Sequence, residues 1–317
     1  MGPPPILIAG PTASGKSAIA LQLAAHTGGE IVSVDSMQVY RGLDIGTAKP
    51  EPGQRRRVPH HLIDIVDPGE SFDAVRFAIL ARAAIADIQT RGATPILCGG
   101  TGLYFKALLA GLGEAPPADP SLRRELEQIP LPQLLDELRA RDPDTWNRLD
   151  RNNSRRVLRA VEVLRLTGKP FSAQRSDWAD ARGLTIGRFV ALEREATDLR
   201  RRVDDRVEEM FRRGLVGETR RLLTLGLRES PTARQALGYR QVIEHLEGRR
   251  SLAETIQLIK TRTWQFARRQ RTWFRHQLNP EWIHVPPDEP AEVTAGRIPG
   301  KSGPGHASMQ LGGIPTG

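Results

Sequence analysis

The sequence predicts an α/β fold: a P-loop NTPase-like parallel sheet flanked by helices, with an inserted helical lobe. Three observations carry this. A short apolar run passes into a glycine-rich loop and then into helix-forming residues, strand-like and helix-like segments alternate to about residue 115, and from there to about residue 185 the strand signal is lost. Alternating strands and helices call for a parallel sheet covered on both faces, with ligands gathering at the carboxyl ends of its strands.

The first element is Ile6-Leu7-Ile8-Ala9, a buried strand by pattern. It runs into Gly10-Pro11-Thr12-Ala13-Ser14-Gly15-Lys16-Ser17, which fits the phosphate-binding loop without a mismatch. Glycines let backbone N–H groups turn inward around an anion, the next helix offers its positive N-terminus, and the lysine neutralises the outer phosphate. Ser17 is placed to bring Mg²⁺ to the same phosphates. The loop alone does not name a reaction, since kinases, ATPases and transferases of diphosphates all use it.

Further along, Glu30-Ile31-Val32-Ser33-Val34 predicts a second strand ending at Asp35-Ser36, and residues 37 to 59 read as loop. His61 to Val66 predicts a third strand, Ser71 to Gln89 an amphipathic helix, and Thr94 to Cys98 a fully buried strand opening into Gly99-Gly100-Thr101-Gly102. The core is expected over 1–115 and 186–285, with a helical lobe at 116–185. In the lobe, Asp119-Pro120 is a helix start, and Val157, Leu158, Val161 and Leu164 form a stripe that Gly168 ends. Arg188 to Glu193 returns to the sheet and is followed by helices. The last long helix opens on Ser251-Leu252-Ala253-Glu254, a capping box, and runs to about Gln277. Glu281 to Val285 predicts an edge strand. The Gly/Pro-rich tail, 286–317, is expected to be disordered.

Composition narrows the function. The 317 residues are 39% hydrophobic and 26% charged, with one cysteine, Cys98, which excludes a disulfide framework or a cysteine-rich zinc module and suits the cytoplasm. No apolar run approaches membrane-spanning length. The net charge is +9, and residues 200 to 275 hold 19 Lys+Arg against 9 Asp+Glu, the balance of a chain that meets a polyanion. Abundant arginine, 40 of 46 basic residues, leaves a compositional explanation open.

Three constellations carry candidate chemistry. Asp35, ending the strand beside the phosphate loop, suits a water-mediated Mg²⁺ contact, a general base or a helix cap. Gly99-Gly100-Thr101-Gly102-Leu103-Tyr104 suits close approach to a ligand or an ordinary tight turn. The stretch from Lys260 to Arg275 carries six basic and no acidic residues, with Trp264, Phe266, Trp273 and Phe274 interleaved. That pattern fits phosphate contacts and base stacking, although most of its aromatics are expected in the core.

Taken together, the chain resembles the bacterial tRNA dimethylallyltransferases over roughly residues 5 to 285. The carriers are Gly10 to Ser17, Asp35-Ser36-Met37-Gln38-Val39-Tyr40 continuing to Pro50, Pro59-His60-His61-Leu62 and Gly99 to Tyr104. Later come Arg155 to Glu162, Gln235-Ala236-Leu237-Gly238-Tyr239-Arg240 and Arg268 to Arg275. The resemblance implies transfer of a dimethylallyl group from dimethylallyl diphosphate to N6 of the adenosine 3′-adjacent to the anticodon. It implies Gly10, Pro11, Thr12, Ala13, Ser14, Gly15, Lys16 and Ser17 on the diphosphate, Mg²⁺ on Ser17, Asp35 as general base, and Thr101 and Arg220 at the reacting centre. Asp35, Ser36, Met37, Gln38 and Thr101 would lie nearest the base, with Gln38 reading the adenine. Arg123, Arg155 and Arg159 of the lobe would grip the anticodon stem-loop, as would Arg234, Gln235, Gly238, Tyr239 and Arg240, and Arg268, Arg271 and Arg275. Arg155 departs from the glutamine the family often carries there, and no C-terminal Cys/His finger follows. A monomer is the default expectation. The competing readings are a P-loop small-molecule kinase, a prenyltransferase acting on free AMP, and an NTP-switched RNA-binding protein without catalysis.

Overall fold

The computed structural model describes residues 2–111, 116–174, 186–230 and 232–298. Its chain divides into two compact units, Met1–Leu108 with Gly183–Gly317, and Leu109–Arg182. The first unit opens with β1 (Ile6–Ala9), α1 (Lys16–Thr27), β2 (Glu30–Val34), α2 (Pro52–Arg57), β3 (His60–His61), α3 (Ala74–Thr90) and β4 (Pro95–Gly99). After β4, α4 (Gly102–Ala110) leads into the second unit, which holds α5 (Pro120–Glu127), α6 (Leu131–Arg141), α7 (Pro143–Arg148) and α8 (Ser154–Thr167). The first unit resumes with β5 (Arg188–Glu193), α9 (Ala196–Arg212), α10 (Leu215–Leu223), α11 (Tyr239–Leu246), α12 (Leu252–Gln277), β6 (Glu281–His284) and α13 (Ala291–Arg297).

The described strands form one parallel sheet in the order β3-β2-β4-β1-β5-β6. Its centre explains the unbroken apolar runs. Leu7, Ile8 and Ala9 of β1 and Ile96 and Leu97 of β4 are fully buried, as expected of strands covered on both faces. In register, Ala9 of β1 pairs with Gly99 of β4, and Gly99 pairs with Val34 of β2, so three strands stop at one level. Local signals set the helices: Asp73 caps α3 by accepting from Arg76 N–H at 2.8 Å, Ser251 and Glu254 close a capping box on α12, and Gly168 ends α8 in the left-handed region.

Three expectations need correction. The third strand is only His60–His61 and a parallel bridge from Tyr40 to Val66, because Leu62 and Asp64 take φ of 60° and 57° and break the extended run. Asp64 is held there by Lys49 at 2.5 Å and Arg55 at 2.6 Å. Within the stretch read as loop, Pro52–Arg57 forms a short helix begun by Pro at its first turn and capped by Glu51. Residues 286–298 of the tail are ordered. Arg194 binds the Pro286 and Pro287 carbonyls, α13 packs on α1, and Ile298 is fully buried in the same apolar cluster as Ile19 and Leu23. Residues 299–317 lie outside the described residues.

The second unit has its own core of Leu126, Leu134, Leu138, Val157, Ala160 and Val161. Ile298→Ala should lower the unfolding free energy by about 2–4 kcal/mol in urea denaturation, the cost of an emptied buried site. An unchanged midpoint would return this segment to the status of an unpacked tail.

Candidate active site

β1 delivers the chain into the loop Gly10–Ser17, and the loop turns by alternating backbone handedness. Ala13 and Gly15 sit at φ of 63° and 94°, and Gly15 is the N-cap of α1. Such alternation makes a concavity lined by N–H groups at a helix N-terminus, the geometry that receives an anion. Lys16 folds across the loop and donates to the Pro11 carbonyl at 3.1 Å. Burial pulls its ammonium below the ordinary lysine value, opposed by the charges of Cys98 and Asp35 and assisted by Arg206. Ser14 is fully buried, and among the described residues its Oγ has no hydrogen-bond partner. Ser17 is exposed in the first turn of α1.

Two distant side chains hold this loop. Arg194, 5% exposed and directly after β5, donates from Nε to the Ser14 carbonyl at 2.8 Å and pairs with Asp198 at 3.0 Å. Gln270 of α12 accepts from Thr12 N–H at 2.8 Å. Neither was singled out by sequence reading.

A cavity of about 480 Å³ opens over the loop, lined by Lys16, Ser17, Arg201, Arg202, Arg206 and Asp288 among others. Arg206 comes from α9, which also supplies Arg201, Arg202 and Asp205 to the cavity lining. Its Nη2 donates to the Thr47 carbonyl at 3.5 Å, its Nε has no partner among the described residues, and burial lowers its pKa against the opposing charge of Asp35. Arg220 is elsewhere. α10 turns Leu215, Glu218, Thr219 and Leu222 inward, and Arg220, two positions after Glu218 and so on the other side of the helix, is exposed and absent from the cavity lining. Arg206, which the sequence reading did not name, lines the cavity together with Arg201 and Arg202. It stands among several arginines and aspartates on one helix, and only the fold singles it out.

At the next strand ends, Gly99 is required by close approach: a Cβ there would lie 2.0 Å from the Val34 carbonyl oxygen. That contact brings the Thr101 and Asp35 segments together. Thr101 N–H donates to Val34 O at 3.2 Å, and Thr101 Oγ1 accepts from Ser36 N–H at 3.0 Å. Asp35 Oδ1 accepts from Met37 N–H at 2.8 Å and Gln38 N–H at 3.3 Å, so the carboxylate caps its own turn. Its charge nevertheless reaches Lys16, Arg206 and Cys98. Gln38 is committed inward, its amide donating to the Thr47 carbonyl at 3.2 Å and accepting from Ser33 Oγ at 2.8 Å.

The predicted tRNA-contacting residues divide. Arg234, Arg240, Arg268 and Arg275 are exposed, and Arg271 and Gln235 are half-buried. Arg275 pairs with Glu193 at 2.5 Å and covers the Trp282 ring at 5.2 Å, while Arg271 lies 3.9 Å from the same carboxylate. Tyr239 is fully buried, with Gly238 beside it. The tyrosine hydroxyl donates to Glu218 at 2.6 Å and accepts from Gly46 N–H at 3.0 Å, a brace for the loop after β2. In the second unit, Arg155 is exposed, whereas Arg123 and Arg159 pair with the fully buried Glu162 at 2.8 and 2.7 Å. Those two compensate a buried carboxylate. Along α12, Phe274 is core and Phe266 is 40% exposed.

No described helix is long and apolar enough to cross a membrane. Among the described residues there is no cluster of three or more His, Cys, Asp or Glu suited to a metal ion.

Strand order, loop and helix together define a P-loop NTPase-like fold. Comparison with known proteins narrows this. A family model described as IPP transferase matches residues 38–277, and one described as isopentenyl transferase matches residues 5–59. The chain is 47% identical over 290 residues to tRNA dimethylallyltransferase 1 of Trichlorobacter lovleyi, covering 90% of this chain and 95% of that one. The full-length tRNA isopentenylpyrophosphate transferase of Bacillus halodurans superposes with a TM-score of 0.68 at 37% identity, covering 93% and 94% of the two chains. A eukaryotic dimethylallyltransferase caught acting on tRNA gives 0.73 at 29% identity, covering 89% of this chain and 74% of that one. The chain belongs to the IPP transferase family.

Cys98 sits in β4 beneath the loop, and burial pushes its thiol up to about 12. At pH 8 the folded protein should therefore give almost no reaction with a thiol reagent, and one thiol should appear on unfolding. Rapid labelling of the native state would contradict the burial.

Proposed function

We propose that this protein transfers a dimethylallyl group from dimethylallyl diphosphate to N6 of the adenosine 3′-adjacent to the anticodon in tRNA, releasing diphosphate. The observation that carries the reading is the convergence, at three adjoining strand ends, of an anion-binding loop, a carboxylate and a threonine, in a chain of this family. The diphosphate is taken by Gly10, Pro11, Thr12, Ala13, Ser14, Gly15, Lys16 and Ser17. The buried cation of Lys16, together with the Arg206 Nε and the Ser14 hydroxyl, which have no partner among the described residues, favours an anion here.

In the reaction, the N6 lone pair forms a bond to C1 of the dimethylallyl group while the allylic C1–O bond breaks. The electron pair of that bond leaves on the diphosphate, where the loop dipoles, Lys16 and Arg206 stabilise it. N6 sheds a proton to Asp35. Thr101 stands by the bridging oxygen. Mg²⁺ fits the donor set of one hydroxyl, Ser17, completed by diphosphate oxygens and water, as hard cations favour. When bound it neutralises charge on the leaving group.

Arg206 replaces Arg220 in our reading. For tRNA, the exposed Arg234, Arg240, Arg268 and Arg275 and the half-buried Arg271 are the first unit's contacts, and Arg155 the second's. Ser36, Met37 and Gln38 follow Asp35 nearest the base, with Gln38 shaping the turn from within. The enzyme works as a monomer in the cytoplasm.

Radiolabelled dimethylallyl diphosphate with Mg²⁺ should label unmodified tRNA and leave AMP unlabelled. Asp35→Asn keeps the Oδ1 acceptor of the turn but removes the base, so transfer should fall roughly 10²–10⁴-fold with tRNA binding retained. Arg206→Ala should lower kcat roughly 10²-fold, and Arg220→Ala should not. Label on AMP alone, or ATP turnover with no label on tRNA, would overturn the assignment.

A further inference from the structure

Gln270 lies in the C-terminal half of α12 and is 8% exposed. Its Oε1 accepts from Thr12 N–H in the phosphate loop at 2.8 Å, and its Nε2 donates to the Gly100 carbonyl at 2.8 Å. One amide therefore reads a donor on one catalytic loop and an acceptor on the next. A carboxylate or a thioether of the same length can satisfy at most one of them. The fit is tight: a Cβ at Gly100 would lie 2.3 Å from Gln270 Nε2, and a Cβ at Gly102 would lie 2.1 Å from the Trp273 ring one turn further along α12. The same helix presents Arg268 and Arg275 on its exposed side.

We propose that Gln270 is a positioning residue for prenyl transfer, holding the phosphate loop and the Thr101 loop at the fixed separation the reaction needs and tying both to the basic helix. This rests on the reading of the phosphate loop as the diphosphate site. Gln270 acts through Thr12 and Gly100 and touches no reacting atom. Thr12 N–H is occupied by the amide, so the contribution is one of shape, with the remaining loop groups and Lys16 left to the anion. Losing the amide strands two backbone groups in a poorly hydrated place, and the loops separate to satisfy them. Displacements of about 1 Å between reacting groups cost on the order of 10²-fold in rate.

The test compares wild type, Gln270→Glu and Gln270→Met in transfer to tRNA across pH 6 to 9. Tm and tRNA affinity are measured alongside. An ionised glutamate still accepts from Thr12 N–H but opposes the Gly100 carbonyl, and only its protonated form donates. Burial raises the pKa of such a carboxyl. Gln270→Glu should therefore lose roughly 10- to 100-fold in kcat at high pH, with KM for dimethylallyl diphosphate and tRNA affinity little changed, and should recover relative to wild type as pH falls. Gln270→Met should show a similar loss without recovery. Wild-type kcat in both variants would overturn the proposal. So would a loss that tracks Tm and tRNA binding in proportion, with no acid recovery in Gln270→Glu. A wild-type tube that leaves tRNA unlabelled would instead overturn the function on which the proposal stands.

Discussion

The site depends on the close approach of two strand ends. β2 and β4 run so near each other at Gly99 that no side chain fits against the Val34 carbonyl. This is what lets Thr101 and Ser36 exchange a hydrogen bond and sets Asp35 beside the phosphate loop from β1. Because β1, β2 and β4 are parallel and end at one level, an anion cradle, a carboxylate and a hydroxyl meet there without any loop having to be long. The buried apolar runs behind them make that level rigid.

Charge follows from this geometry. Bringing Lys16 and Arg206 into a partly desolvated cleft lowers the proton affinity of both, and Asp35 works against that shift. On the proposed reading, an arriving diphosphate would restore the stabilisation that burial removes. The buried charges of Lys16 and Arg206 would draw a polyanion to the loop, and Asp35 would serve the nucleophile. Arg194 adds a mechanical link, since the same guanidinium that holds the loop at Ser14 also fastens the chain after β6.

The phosphate loop, its strand and helix and the parallel sheet were legible because each rests on local pattern: apolar runs, glycine spacing and caps. What escaped depended on distant contacts. Arg206 looks like its neighbours on α9 until the fold lays that helix across the loop. Tyr239, between a glycine and an arginine, reads as surface but is buried by its bond to Glu218. The Gly/Pro-rich composition after Pro286 hid Ala291–Arg297, a helix whose order comes from packing on α1. Gln270 stood in a run of arginines that drew attention to charge, while its own role is a hydrogen-bonded span between two loops.

On the proposed reading, this loop holds a diphosphate as a leaving group, so the bond that breaks is carbon–oxygen and no phosphorus–oxygen bond is cut. Dimethylallyl diphosphate carrying ¹⁸O in the C1–O position, turned over with tRNA, reads this directly by mass spectrometry of the products. The account predicts that all the ¹⁸O leaves in diphosphate and none enters the modified nucleoside. Monophosphate as the released species, or ¹⁸O retained with the prenyl group, would contradict it.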